Sequence, residues 1–260
     1  MNSDVRGRKR FMKGIVLAGG TGSRLYPLTK VTNKHLLPVG KHPMIYHPIA
    51  KLKEAGITDI LIVTGKEHMG DVVSLLGSGR EWNLEFTYKV QDQAGGIAQA
   101  LSLARHFVGE DQCVVILGDN VFEESIRGHV VEFSSQGSGA KILLQQVKDP
   151  ERFGVAELIH DKIISIEEKP AKPKSSYCVT GIYMYDSKVF DVIDTLSPSR
   201  RNELEITDVN NSYIQNQELS YSILLGWWTD AGTFDSLTLA NQLVHASEVE
   251  KQIEQILSER

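Results

Sequence analysis

The stretch that decides the fold is Lys13-Gly-Ile-Val-Leu-Ala-Gly-Gly-Thr-Gly-Ser-Arg24. The apolar run at its start, residues 13–18, predicts a buried strand, and the glycines that follow predict a loop. Similar apolar runs at 59–64 and 113–117 predict further strands that are covered on both faces. Helical patterns separate these strands, at 43–55 with Pro43 in the first turn, at 67–76 and at 96–106. Strands that alternate with helices indicate an α/β fold with a doubly wound, mostly parallel central sheet and helices on both faces.

After about residue 139 the pattern changes to short strands separated by turns. Strands are predicted at 141–147, 154–159, 163–168, 179–185 and 220–225. Helices are predicted at 187–196 and 205–216, and a long C-terminal helix is predicted from Thr233. Because no linker or repeat interrupts the chain, we expect one continuous domain over residues 12–260. Residues 1–11 are predicted to be a poorly ordered extension.

The composition excludes several classes of protein. The 260 residues are 41% hydrophobic and 23% charged, which is typical of a globular rather than a disordered chain. The 28 Lys+Arg and 33 Asp+Glu give a net charge of −5, which disfavours bulk nucleic acid and anionic membranes as partners. No apolar run approaches the ~18 residues of a membrane span, so we expect a cytoplasmic protein. Cys113 and Cys178 make neither a disulfide framework nor a zinc site, and Cys113 is predicted to be a buried apolar residue.

The glycine-rich loop is the first candidate site. The segment Gly19-Gly-Thr-Gly22 could bring backbone N–H groups close to a phosphate, and Arg24 adds a cation that suits phosphate oxygens. The dinucleotide-binding pattern fails because its third glycine position falls on Leu25, and no Gly-Lys-Ser/Thr completes a Walker motif. An NAD-dependent oxidoreductase is therefore disfavoured. The alternative is an ordinary strand–loop turn with a solvated arginine.

Two further side chains could act on the same phosphates. Lys34 follows after a short loop and could reach them, or it could be a solvated lysine. Asp119 follows the strand predicted at 113–117, at the edge of an α/β sheet where ligands bind. A carboxylate there suits Mg²⁺, which takes one or two carboxylates together with phosphate oxygens. The alternative role of Asp119 is the N-cap of a helix that begins near Val121.

Later polar segments are weak signals when they are taken singly. Residues 167–169 could be a solvated charge run, and Asp230-Ala-Gly could be a turn. The eight histidines make no pair with metal-ligand spacing. The sequence contains none of the motifs His-Glu-x-x-His, Cys-x-x-Cys and Gly-x-Ser-x-Gly. It therefore gives no sign of the chemistries that depend on these motifs.

Taken in order, several segments resemble the sugar-nucleotidyltransferase family, and most closely its thymidylyltransferase branch. The segments that carry the resemblance are 17–29, 36–39, 43–46, 95–100, 118–120, 165–170, 179–183 and 203–210. The resemblance covers the chain from Lys13 to about Leu243 and implies a Rossmann-like nucleotidyltransferase fold. It also implies a Mg²⁺-assisted, in-line attack of α-D-glucose 1-phosphate on the α-phosphorus of dTTP, giving dTDP-glucose and pyrophosphate.

The resemblance further implies roles for individual residues. The triphosphate would be held by Gly19, Gly20, Thr21, Gly22 and Arg24, with Lys34 beside them. The thymine ring would meet Gln91 and Gly96, and Mg²⁺ would be held by Asp119 and Asp230. The sugar phosphate would be held by Lys169 and Arg201, and the glucose pocket would be lined by Gly154, Glu168 and Val179. The residues expected to be catalytic are Arg24, Lys34, Asp119 and Lys169.

The resemblance also divides the chain. Residues 12–139 would form the nucleotide-binding half, 140–232 the sugar-binding half and 233–258 a C-terminal helix. Because Ile253 and Leu257 lie on one face of that helix, we expect a homo-oligomer, most simply a dimer, that forms through it. The end of the chain at Arg260 predicts a short form of the family, whose product would supply dTDP-rhamnose and polysaccharide synthesis.

Two alternatives stay open at this point. The nucleotide could be UTP, or the acceptor another sugar 1-phosphate, because a methyl group in an apolar pocket discriminates by only ~1–3 kcal/mol. A non-catalytic nucleotide-sugar sensor is the other alternative. The sensor is disfavoured because the carboxylates and cations expected of the enzyme are all present.

Overall fold

The computed structural model describes residues 12–258, so the extension expected at 1–11 lies outside the described residues. The strands are β1 Met12–Ala18, β2 Pro38–Val39, β3 His42–Pro43, β4 Asp59–Gly65, β5 Glu85–Gln91, β6 Gln112–Leu117, β7 Asn120–Phe122, β8 Ala140–Gln146, β9 Gly154–Ile159, β10 Lys162–Glu168, β11 Tyr177–Tyr185, β12 Leu219–Ile223 and β13 Trp228–Asp230. The α-helices are α1 Tyr46–Glu54, α2 Met69–Leu76, α3 Ile97–Ser102, α4 Arg105–Val108, α5 Arg127–Gln136, α6 Val189–Asp194, α7 Ile206–Gln215, α8 Phe234–Ala246 and α9 Val249–Ser258.

The chain forms two compact units, and each is assembled from separate stretches of sequence. Unit 1 contains Gly95–Val114 and His129–Leu225. Unit 2 contains Lys13–Ala94, Val115–Gly128 and the chain from Gly226 onward. The single domain with consecutive nucleotide- and sugar-binding halves stays a prediction.

Unit 2 contains three parallel strands, two of which the apolar runs at 13–18 and 59–64 predict. Strands β1, β4 and β5 pair in parallel, with Ile15 opposite Leu61 and Ile60 opposite Phe86. The side chains of Ile15 and Leu61 are fully buried. Both faces of β1 and β4 are covered, which is why their sequences are continuous apolar runs. Strand β5 is only partly covered, with buried Phe86 and Gln91 among exposed and half-buried residues.

Unit 1 contains the strands that follow residue 139. Strand β8 pairs antiparallel with β11, and β9 pairs antiparallel with β10, so that Glu168 lies opposite Gly154. Strand β12 is parallel to β8, and α7 packs against β10. Short turns permit antiparallel pairing, whereas a parallel return needs a longer crossover. The fold is of the α/β class, with a mostly parallel central sheet flanked by helices, as the sequence predicts.

Three predicted helices begin elsewhere or are divided in the structure. The helix expected from residue 43 begins at Tyr46, because Pro43 belongs to β3 and pairs with Pro38. The helix expected at 96–106 is divided into α3 and α4. The division falls where the N–H groups of Leu103 and Ala104 donate to carbonyls three residues earlier, which tightens the helix locally.

The C-terminal helix expected at 233–258 is also divided, into α8 and α9. The break falls at Ser247, whose backbone is extended with φ −119 and ψ 174. The Ser247 hydroxyl accepts a hydrogen bond from the Val249 N–H and so helps to begin the next helix.

The apolar face of α9 is not available for self-association. Ile253 is 1% exposed and Leu257 is 8% exposed, because α9 packs against α1 and α8 within unit 2. The expectation that a dimer forms through this face is therefore wrong, although the homo-oligomer itself stays a prediction.

Cys113 is fully buried and unbridged, as predicted, and Cys178 is buried as well. Among residues 12–258 there is no helix long and apolar enough to cross a membrane.

Candidate functional site

The glycine-rich loop between β1 and a short 3-10 helix, Ser23–Leu25, is shaped by close contacts within unit 2. Gly22 has φ 67, a left-handed conformation that side chains disfavour. A Cβ atom at Gly22 would also lie 2.7 Å from Cγ2 of Thr29, whose hydroxyl donates to the Gly22 carbonyl over 2.9 Å. The loop conformation therefore requires glycine at this position.

Lys34 lies against this loop, as its place in the sequence suggested. Asn33 caps the 3-10 helix Lys34–Leu36 by accepting a hydrogen bond from the His35 N–H. From there the Lys34 side chain extends back, with Nζ 3.7 Å from where a Gly20 Cβ would be. The same ammonium donates to Oδ2 of Asp119 over 2.5 Å. The structure thus brings the loop, Lys34 and Asp119 together, and the solvated-lysine alternative is wrong.

Asp119 is 8% exposed and ends no helix. It precedes strand β7, so its alternative role as the N-cap of a helix near Val121 is also wrong. The Asn120 amide donates to its Oδ1 over 3.0 Å. Burial would raise the pKa of Asp119, but the Lys34 ammonium outweighs burial and holds that pKa well below its ordinary value. Asp119 is consequently an anion throughout the neutral range.

Strand pairing brings Asp230 beside Asp119. Strand β13 pairs antiparallel with β7, so Asp230 lies opposite Asn120, and the Ala231 N–H donates to the Asp119 carbonyl over 2.8 Å. Three charged atoms surround the point where a Gly232 Cβ would be: Arg24 Nη2 at 3.0 Å, Asp119 Oδ2 at 3.4 Å and Asp230 Oδ2 at 3.5 Å. A side chain at Gly232 would fill this space.

This arrangement fits the chemistry of Mg²⁺, which takes one or two carboxylates and completes its shell with phosphate oxygens and water. Two carboxylate oxygens lie around one point, and two cations that suit phosphate, Arg24 and Lys34, lie beside them. Within the described part of the chain, no group of three or more His, Cys, Asp or Glu side chains could hold a metal alone. The pair of carboxylates therefore suits an ion that arrives with a polyphosphate.

His35 packs beside this cluster, a role that the sequence did not indicate. It is 1% exposed, its Nδ1 lies 2.7 Å from the Asn33 side-chain oxygen, and its ring packs against Gly118. Burial, assisted by the Lys34 charge, lowers the pKa of His35 to about 3. The imidazole is therefore neutral and acts as a packing and hydrogen-bonding group.

The two residues expected at the thymine ring fall in different units. Gln91 ends β5 in unit 2, is buried, and lies so close to Gly19 that a Cβ there would overlap its side-chain oxygen. Gly96, in unit 1, precedes α3 with φ 99 and touches the backbone of Leu204. Gln91 thus joins the loop cluster, whereas Gly96 shapes the packing between the start of α3 and the segment before α7.

Most of the remaining predicted residues lie together in unit 1. Glu168 lies opposite Gly154 in the β9–β10 pair, and its Oε1 is 3.3 Å from Arg201 Nη2 and 3.9 Å from Lys169 Nζ. Lys169 has φ 45 and donates its N–H to the Phe153 carbonyl over 2.9 Å. Val179 lies on β11, one residue after Cys178, which pairs with Val155 of β9. Both cations and Glu168 therefore meet at one end of β9 and β10.

Two features of this second cluster could not be read from spacing. Arg201 is shared among three carboxylates, with Nη2 2.8 Å from Glu205 and 3.3 Å from both Glu168 and Glu203. Thr207 is 5% exposed, and its hydroxyl donates to Oε2 of Glu168 over 2.6 Å. The segment 203–210 carries the family resemblance, but nothing in it singles out Thr207.

The comparisons with known proteins identify the family of the chain. The family model for nucleotidyl transferases matches residues 13–247, so the chain belongs to the nucleotidyl transferase family. A glucose-1-phosphate thymidylyltransferase of Neisseria meningitidis is 44% identical over 237 residues, 90% of this chain and 82% of that protein. One from Mycolicibacterium smegmatis is 40% identical over 241 residues, 92% of this chain and 84% of that protein.

Solved structures extend the comparison. A Bacillus anthracis crystal structure, provisionally assigned as a glucose-1-phosphate thymidylyltransferase and solved with sucrose, is 65% identical with a TM-score of 0.89. It covers 94% of this chain, which covers 99% of it. An apo UDP-glucose pyrophosphorylase has a TM-score of 0.78 at 21% identity, covering 91% of this chain and 99% of its own. This second likeness shows the fold alone.

Proposed function

We propose that the protein transfers a thymidylyl group from dTTP to α-D-glucose 1-phosphate, giving dTDP-glucose and pyrophosphate. The observation that carries the proposal is the convergence of Arg24, Asp119 and Asp230 on one point, with Lys34 bound to Asp119. The relatives in Neisseria and Mycolicibacterium, named for this reaction and 40–44% identical, support thymidylyl transfer over uridylyl transfer.

Unit 2 supplies the groups for the nucleotide. The loop Gly19–Gly22 presents backbone N–H groups, and Arg24 and Lys34 present cations suited to the triphosphate. Asp119 and Asp230 would hold Mg²⁺, which when bound neutralises phosphate charge and polarises the α-phosphate. Lys34 lowers the pKa of Asp119, so this carboxylate is already an anionic ligand at neutral pH. Gln91, packed on Gly19, is the candidate contact to the base.

Unit 1 supplies the groups for the sugar phosphate. Lys169 and Arg201 provide positive charge for the phosphate, while Glu168, fixed by Thr207, and the adjacent Gly154 and Val179 provide the sugar pocket. The nucleophile is a phosphate monoester with a second pKa of ~6, so it is already mostly ionised at neutral pH. The protein therefore needs cations that relieve repulsion between two anions and hold them in line, and it needs no general base.

Pyrophosphate release tests the proposal directly. We would measure initial rates with dTTP, UTP, CTP, GTP and ATP against glucose, galactose and mannose 1-phosphates, with and without Mg²⁺. We expect the highest kcat/KM for dTTP with glucose 1-phosphate. Chelation of the metal should abolish turnover. A preference for UTP, or for another sugar phosphate, would replace the proposed substrate. No turnover with any pair would favour a nucleotide-sugar sensor.

The carboxylate at the convergence point is tested by Asp119→Asn, which should lower kcat on the order of 10²-fold or more while the protein stays folded. Asp71→Asn on α2 is the matched control, because its exposed carboxylate pairs only with His68 among the contacts described. Equal activity of Asp119→Asn and wild type would remove Asp119 from the proposed metal site.

A further inference from the structure

Lys51 carries a buried charge that the proposed function does not use. It lies on α1 and is 4% exposed, although lysine is rarely buried unless it is paired. Its Nζ donates to the main-chain carbonyl of Glu123 over 2.7 Å and lies 5.4 Å from the centre of the Phe122 ring. The nearest carboxylate oxygen described for it, from Glu54, is 3.9 Å away. The ammonium is thus directed at a backbone carbonyl and an aromatic face.

The carbonyl that Lys51 binds lies just beyond strand β7. The two-stranded ladder of β7 and β13 has Asn120 opposite Asp230 at one end and Phe122 opposite Trp228 at the other. The Glu123 N–H continues the ladder by donating to the Trp227 carbonyl over 3.1 Å. The site carboxylates stand at the first end of the ladder, and Lys51 holds the second end.

The ladder needs such support because two short strands alone are marginally stable in water. At the first end, the Asn120 side chain accepts a hydrogen bond from the Trp228 indole over 2.7 Å and donates to Asp119. At the second end, α1 packs on β7, and the contact includes the Lys51 ammonium over Phe122. A slip at the second end would be transmitted through three residue pairs to the spacing of Asp119 and Asp230.

We propose that Lys51 is a positioning residue, whose bond to Glu123 and contact with Phe122 fix the β7–β13 ladder and thereby the relative placement of Asp119 and Asp230. This inference deepens the proposed function, because it assigns a determinant of the same carboxylate pair. It also makes a claim about ladder stability that does not depend on which substrates the protein uses.

The test compares Lys51→Met, which removes the donor and the charge, with Lys51→Arg, which keeps both. Lys51→Met keeps a similar volume and removes the cost of burying an ammonium, and the Glu54 carboxylate oxygen lies 3.9 Å from Nζ, beyond hydrogen-bond distance, so the variant is expected to fold. Lys141→Met in unit 1 is the matched control. Lys141 is also buried, at 1% exposed, but it donates to Glu132 and Ser222 and has no described contact with the ladder.

The first readout is amide hydrogen exchange of residues 119–123 and 228–231 by mass spectrometry, without substrates. Lys51→Met should exchange faster than wild type on the order of 10-fold in both segments, because the ladder opens more often. Lys51→Arg should restore most of the protection, and Lys141→Met should leave both segments unchanged. Should Lys51→Met not fold, Lys51→Gln is measured by the same criteria.

The second readout is the kinetic split in the preferred reaction. Lys51→Met should lower kcat and raise the Mg²⁺ concentration needed for half-maximal rate, each by about 10-fold, because small misplacements of catalytic groups are costly. KM for glucose 1-phosphate should stay within about twofold, since its proposed site lies in unit 1. Unchanged exchange in Lys51→Met, or equal exchange effects in Lys141→Met, would overturn the inference. A wild type inactive with dTTP and glucose 1-phosphate would instead overturn the proposed substrates.

Discussion

The ion pair between Lys34 and Asp119 should make the two residues strongly non-additive in stability. The atoms are 2.5 Å apart, and the side chains are only 11% and 12% exposed. Lys34→Met would leave the Asp119 carboxylate buried without its cation, and removing one partner of a buried pair costs about 3–5 kcal/mol. We expect the lower end, about 3 kcal/mol, because the Asn120 amide still donates to Asp119 and Arg24 lies near the same point.

Asp119→Asn should cost less, about 1–2 kcal/mol, because a neutral amide can still accept a hydrogen bond from Lys34. In the double variant no buried carboxylate remains to be desolvated. Its stability should therefore be close to that of Asp119→Asn alone, which corresponds to a coupling energy of about 3 kcal/mol, the whole effect of Lys34→Met. The double-mutant cycle separates the interaction free energy of the pair from the contribution that each residue makes to stability on its own.

Urea unfolding in the presence of a metal chelator, without nucleotide, measures this cycle. All three tryptophans, Trp82, Trp227 and Trp228, lie in unit 2 with the ion pair, so their fluorescence reports the relevant unit. The dependence of unfolding free energy on urea should be the same in all four proteins. Additivity of the two single effects to within about 0.5 kcal/mol would refute the argument, because independent sites behave in that way.

Three other outcomes follow from the structure. Lys169→Ala should raise KM for glucose 1-phosphate much more than KM for dTTP, since Lys169 belongs to the unit 1 cluster; an equal rise in both would contradict its role. Burial lowers the pKa of His47 from 6.5 to about 4. Between these two pH values the unfolded chain protonates this imidazole and the folded chain does not. The unfolding free energy should therefore fall by up to about 3 kcal/mol as the pH drops from 6.5 to 4. His47→Gln should flatten that slope, and an unchanged slope would assign the effect elsewhere. Cys113, fully buried with its pKa raised to about 12, should resist a thiol reagent until the protein is unfolded, and rapid labelling of the native protein would contradict its burial.

The sequence predicted strands β1, β4 and β6 well because their burial is a local property of the chain. A strand covered on both faces needs an unbroken apolar run, and residues 13–18, 59–64 and 113–117 supply it in β1, β4 and β6. The helix interruptions were not predictable in the same way. The tightening at Leu103 and Ala104 and the extended Ser247 change single backbone conformations, which leave the apolar periodicity almost unaltered.

The self-association face on α9 was misjudged for a related reason. An i, i+4 pair such as Ile253 and Leu257 marks a face that must be covered, but the pattern carries no information about what covers it. In the structure the cover is α1 and α8 of the same unit. An amphipathic helix therefore predicts burial more reliably than it predicts a partner.

The site carboxylates show where local sequence stops being sufficient. After Gly118-Asp119, the residues Asn120-Val-Phe are equally compatible with the first turn of a helix and with a short strand, and three residues are too few to show a period. They form a strand because Trp228-Thr-Asp230, far along the chain, pairs with them. That one long-range pairing has two consequences. Residues 120–122 form a strand instead of a helix that Asp119 could cap, and Asp230 is placed beside Asp119. The same pairing creates the need for an anchor at Glu123, which Lys51 supplies from α1. The pairing of the two carboxylates is therefore a property of the tertiary structure. Sequence spacing alone could not show that Asp119 and Asp230 are neighbours.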